Sequence, residues 1–77
     1  MTIYLVVVKD RYSGAGYRAF TKLTRAIATA KENEQQSMRH YKVGPKALDR
    51  EKYGTIFRSS LEDAFTISVH QLELQGI

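Results

Sequence analysis

The chain opens on an apolar run, residues 3–8 (IYLVVV), with no polar face. A run this short and this rich in β-branched side chains predicts a buried strand over residues 3–9 rather than a helix. Turn-forming residues follow in DRYSGAG (Asp10, Ser13, Gly14, Gly16), and residues 17–20 are expected to return as a short second strand, giving a hairpin with a loose tip. The period then changes. Leu23, Ala26, Ile27 and Ala30 stand at i, i+3, i+4 and i+7, the stripe of an amphipathic helix, and Thr21 is placed to cap its first turn. Glu34 and Ser37 interrupt the stripe, so the second half of this helix, KENEQQ, is expected to protrude or fray.

Residues 39–53 (RHYKVGPKALDREKY) hold the densest cluster of basic residues. Pro45 suits a first helical position and Gly54 a helix stop, so this segment reads as an ordered loop with one helical turn. From Thr55, TIFRS predicts a third strand, SLEDA a tight connection, and FTISVHQLEL a final strand with Phe65, Ile67 and Val69 on one face. Its parity then switches to Leu72 and Leu74. Either a bulge near His70 and Gln71 restores a single buried face, or the two leucines point outward and are available to a partner. The order β-β-α-β-β defines one α+β domain over residues 1–77: a small antiparallel sheet of about four strands with one helix packed on one face, and a basic loop or short helix at 39–53.

A single helix shields one face of such a sheet. The first strand can turn either Ile3, Leu5 and Val7 or Tyr4, Val6 and Val8 towards it, and leaving the other set wet forgoes roughly 1.5–3 kcal/mol for each aliphatic side chain that could be fully buried. Two covers are available. The 39–53 segment carries Tyr41, Val43, Leu48 and Tyr53, apolar enough to lie over that face; otherwise another protein surface does so. Association is the expectation adopted here, with Tyr4, Val6 and Val8 as the contact face of a two-fold homodimer. Pairing of the final strand at a sheet edge is a second route to the same dimer.

Composition narrows the chemistry. There is no cysteine, and His40 and His70 stand far apart, so disulfides and common zinc patterns are excluded and no metal or cofactor is expected. His70 with Arg58, across the final hairpin, is the best enzymatic pairing available, but a strand histidine without a recognised partner is ordinarily structural, and no enzyme is expected. The SGAG turn lacks the pattern of a phosphate-binding loop. A formal charge of +4, from twelve Lys and Arg against eight Asp and Glu, favours an anionic partner without choosing its kind. Two patches interleave basic and aromatic residues: Arg11, Tyr12, Tyr17 and Arg18, and then Arg39, Tyr41, Lys42 and Lys46. Both are candidate partner-binding residues. The partner is expected to be a protein, with nucleic acid, held by Arg11, Arg18, Arg39, Lys42 and Lys46, as the alternative. No apolar run reaches membrane-spanning length and the chain opens without a signal-like segment, so a cytoplasmic protein with no membrane partner is expected.

The IYLVVV opening, a polar turn, Phe20-Thr21 followed by Ala26, and a closing strand ending in Glu73-Leu74 together resemble a diffuse group of small uncharacterised bacteriophage proteins. The resemblance covers about half the chain, and the basic 39–52 insert departs from it. It implies no catalytic residues. It implies a setting, the host cytoplasm, and a mode of action: stoichiometric binding to a host macromolecule, as an inhibitor of a defence or nucleic-acid-processing complex.

Overall fold

The computed structural model describes residues 1–49, 56–62, 64–75. The elements run β1 (Thr2–Asp10), β2 (Gly14–Phe20), α1 (Leu23–Tyr41), a single 3-10 turn (Pro45–Ala47), β3 (Phe57–Leu61) and β4 (Phe65–Glu73). The strands form one antiparallel sheet in the order β2-β1-β4-β3. This is the α+β arrangement expected from the pattern. Pro45 takes the first position of its turn. The parts of the sequence reading that fall on Tyr53, Gly54, Thr55 and Asp63 lie outside the described residues.

Register decides which side of β1 is covered. Val6 lies opposite Val69 and Val8 opposite Ile67, so the even residues of β1 share a face with Phe65, Ile67 and Val69. Ala26 and Ala30 of α1 pack on that face, their small side chains letting the helix backbone approach the sheet, and Val6 is left 2% exposed. The expected association face is therefore corrected: Tyr4, Val6 and Val8 belong to the core, and the face turned away from the helix carries Ile3, Leu5 and Val7. A strand that is apolar on both sides could not reveal this, because only pairing with the amphipathic β4 distinguishes odd from even.

β4 is central, paired with β1 without interruption from Thr2 opposite Glu73 to Asp10 opposite Phe65. No bulge resets its parity. Leu72 and Leu74 consequently point outward at 41% and 48% exposure. A central strand has no free edge, so dimerisation through the edge of the final strand is also corrected; the edges are β2 and β3. Asp49 lies along the outer side of β3, its N–H donating to Ser60 O (2.8 Å) and its carbonyl accepting from Ser60 N–H (2.9 Å).

The helix does not fray at KENEQQ. It continues to Tyr41, with Glu34 buried two turns beyond Ala26 and one beyond Ala30, because the last turn is anchored to the sheet through Tyr41. Thr21 does not cap it; Lys22 is the N-cap residue and makes no side-chain capping bond. At the other end Lys42 adopts the left-handed conformation (φ 56°), and Val43 N–H reaches back to Met38 O at 3.0 Å, closing a Schellman-type end. Tyr41 and Leu48 then pack on the helix-side core. The described part of the 39–53 segment thus runs along the helix side and the β3 edge, not across the open face.

Candidate functional site

The two basic and aromatic patches meet different fates. In the hairpin, Arg11 and Tyr12 occupy the tip, the guanidinium 5.3 Å from the ring centroid. The tip is not loose: Asp10 Oδ1 accepts the N–H groups of Tyr12 (2.8 Å) and Ser13 (3.2 Å), and Gly14 takes a positive φ of 81° that a larger residue would resist. Tyr17 and Arg18, being consecutive strand residues, point to opposite faces. Tyr17 is on the open face, while Arg18 lies on the helix side with its guanidinium 5.4 Å from the Phe20 ring.

Of the second patch, Arg39, Lys42 and Lys46 are exposed, whereas Tyr41 is half-buried and engaged within the fold. Its ring stacks on Phe65 (5.7 Å, 29°), and its hydroxyl donates to Asp10 Oδ2 at 3.1 Å, with Ala64 O at 3.3 Å. This bond brings the end of α1 against the base of the hairpin tip. The N–H of Tyr12 is the chief reason that Asp10 titrates below the usual carboxylate range, helped by Ser13, Tyr41 and His40 and opposed by burial. Burial, then the bond to Asp10, pushes the Tyr41 phenol upward.

On the open face a depression of about 500 Å³ is bordered by Leu5, Val7, Lys9, Tyr17, Arg58, Thr66, Ser68 and His70. Arg58 and His70, paired in the sequence reading, do share this surface. Ser68 Oγ lies 2.9 Å from His70 Nε2, so the imidazole is already engaged within its own strand. Lys9, Thr66 and Ser68 were not singled out from the sequence; the register that aligns Lys9 with Thr66 and Val7 with Ser68 places them here. The apolar end of the same face holds Ile3 opposite Leu72, with Ile56 and Leu74 also exposed.

A second depression, about 430 Å³, lies between β2 and α1. It exists because Gly14 and Gly16 present no side chain on the helix side of β2, leaving Val6 and Val8 as its floor and Thr29 and Asn33 as its helical wall. Arg18 borders it, and Lys22 and Arg25 line a further hollow at the Phe20 end of the strand. The sequence signal for this groove was GAG, read only as a turn. Every residue of β2 except Phe20 is exposed.

Among the described residues no cluster of three or more His, Asp or Glu is placed to hold a metal ion, and no helix is long and apolar enough to cross a membrane. No protein-family model matches the chain, and no curated protein or solved structure matches it.

Proposed function

We propose that this chain is a small phage-type binding protein that acts stoichiometrically on a host protein in the cytoplasm, inhibiting a defence or nucleic-acid-processing complex, with the β1–β2 hairpin as its docking element. The observation that carries this reading is the hairpin itself. Its outer strand and tip are exposed, its tip conformation is fixed by Asp10 and Gly14, and it displays Arg11, Tyr12 and Tyr17, residue types that anchor protein interfaces. Preformed loops bind with less entropic loss than loose ones. The phage setting rests on the sequence pattern of Phe20, Thr21, Ala26, Glu73 and Leu74. The reading assigns no catalytic role to His70.

The test is capture from a bacterial host lysate. Wild-type protein is expected to retain one host protein at a fixed ratio, and an Arg11→Glu/Tyr12→Ala variant to lose it. Retention by that variant overturns the docking assignment. Cleavage of labelled RNA or DNA that disappears in His70→Ala overturns the non-enzymatic reading.

A second reading has its own support: Lys9, Tyr17 and Arg58 converge on the open face, and an aromatic ring among cations on a sheet is a platform for single-stranded nucleic acid. In that case a labelled oligonucleotide binds at low salt with an affinity that falls steeply with ionic strength.

A further inference from the structure

We propose that β2 is the acceptor edge for a fifth strand, an extended acidic segment of the partner protein, whose alternate side chains enter the groove between β2 and α1. The proposal rests on the reading of the hairpin as the docking element and names what docks there.

The two edges of the sheet differ in the way that matters. The outer side of β3 is engaged by Asp49 in both directions at Ser60, whereas no backbone hydrogen bond reaches the outer side of β2 among the described residues. Half of the peptide groups of an edge strand point away from its neighbour, and proteins usually blunt such edges with proline, inward charges or a bulge. β2 has neither proline nor bulge, and its one charge on the helix side is Arg18, at the border of the groove. It pairs with β1 continuously from Tyr4 opposite Phe20 to Asp10 opposite Gly14, and Ala15, Gly16 and Ala19 leave its flank sterically open. An added strand satisfies the outward N–H and C=O groups directly, and pockets for its alternate side chains supply selectivity. The groove is such a pocket. A methyl group built on Gly16 meets nothing within 4 Å, so the space above Val6 and Val8 is open to an incoming side chain.

Charge selects the occupant. From Arg11 to Lys31 the sequence carries Arg11, Arg18, Lys22, Arg25 and Lys31 and no acidic residue. Arg18 borders the groove, and Lys22 and Arg25 border the hollow at its far end. Asp10, the one acid lining the groove, is occupied by Tyr12, Ser13 and Tyr41. A second copy pairing through β2 about a two-fold axis would bring these cations of both chains together, on molecules that each carry a formal charge of +4. Nucleic acid complements the charge but cannot continue the β-ladder. An acidic peptide strand meets both requirements.

The experiment is selection of a random dodecapeptide display library against the whole chain, followed by amide-exchange mapping of the enriched peptides. Enriched sequences are expected to alternate β-branched and acidic residues and to protect the amides of β2. Arg18→Glu, which reverses the charge beside the groove, and Gly16→Val, which adds a branched side chain to the groove at a position whose Cβ meets nothing within 4 Å, are each expected to weaken binding by about tenfold or more, with circular dichroism unchanged. Peptides without acidic enrichment, protection confined to the open sheet face, or wild-type affinity in both variants overturn the proposal. So does a doubled mass in light scattering that Arg18→Glu and Gly16→Val do not share, since it would assign the edge to a second copy. So also does displacement of the peptide by an oligonucleotide with no protection of β2. A host protein captured equally by wild type, Arg18→Glu and Gly16→Val, but lost with Arg11→Glu/Tyr12→Ala, ends the fifth-strand proposal while leaving the docking function standing. Absence of any captured protein and of any enriched peptide ends both.

Discussion

Val6 and Val7 are neighbours in sequence and almost equally hidden, at 2% and 8% exposure, yet they are hidden by different physics. Val6 lies under α1 in a dry cluster with Ala26, Ala30, Ile67 and Val69. Val7 faces the other way, where no described helix or loop lies above it, among Leu5, Lys9, Tyr17, Arg58, Ser68 and His70. Long side chains on a sheet can cover apolar surface with their stems while their polar ends stay wet. Side chains of the sheet itself can therefore cover the part of a face over which no described element lies. A sheet face in the middle of its strands can shelter its own centre and still offer polar groups at its surface.

The largest effect that tests this contrast is a matched substitution. Val6→Thr puts a hydroxyl into the buried cluster under α1, at a cost of about 1–3 kcal/mol, whereas Val7→Thr, opposite Ser68 on the polar face, is expected to cost less. Urea unfolding of the two variants checks it. Equal losses would mean that both faces are dry, and the contrast would be void.

The serines sharpen the same contrast with opposite signs. Ser59, on the helix side of β3, is fully buried and its hydroxyl has no hydrogen-bond partner among the described residues. Ser68, on the open side of β4, meets His70. Ser59→Ala is expected to stabilise the fold by about 0.5–1 kcal/mol and Ser68→Ala to destabilise it by a similar amount. Thermal melts of both read the signs directly.

The smallest expected effect concerns the rim of the helix face, where Tyr41 meets Asp10. Asp10 titrates lower in the folded chain than in the unfolded one, so its contribution is complete above the ordinary value of 3.8 and is lost as pH falls through the folded value. Tyr41 is shifted upward, so its contribution is complete below the ordinary value of 10.0 and is lost as pH rises through the folded value. Tyr41→Phe should lower the urea midpoint across the plateau between these limits and abolish the alkaline decline. An unchanged alkaline limb would remove Tyr41 as its cause.

Much of the candidate site was legible in part. Arg11, Tyr12, Tyr17 and Arg18 were visible as a patch because basic and aromatic residues interleave over eight positions. That Tyr17 and Arg18 serve opposite faces also follows from strand parity. What serves as partner surface beside each did not follow. The groove beside Arg18 depends on Gly14 and Gly16 lying beside β1, opposite Asp10 and Val8, next to a helix from elsewhere in the chain, and the open-face depression depends on residues of all four strands. The packing of Tyr41 was not legible, because its neighbours Arg39 and Lys42 are exposed while its own position on α1 faces Phe65.

The sequence by itself determined the elements and their order, since short-range signals carry them: the period-two run of FTISV, the helical spacing of Leu23, Ala26, Ile27 and Ala30, and turn residues at Asp10, Ser13 and Gly14. Only the tertiary structure decided which side of IYLVVV is core. Both sides of that strand are apolar, so hydrophobicity is indifferent between two registers that differ by a flip. The choice falls to the partner strand, whose one apolar face must meet Ala26 and Ala30, and to the helix that covers β1 and β4 and leaves β2 exposed at the edge. Pairing that runs from Asp10 with Phe65 to Thr2 with Glu73 is not written in local periodicity, and it is this pairing that fixes which face of β1 the helix covers.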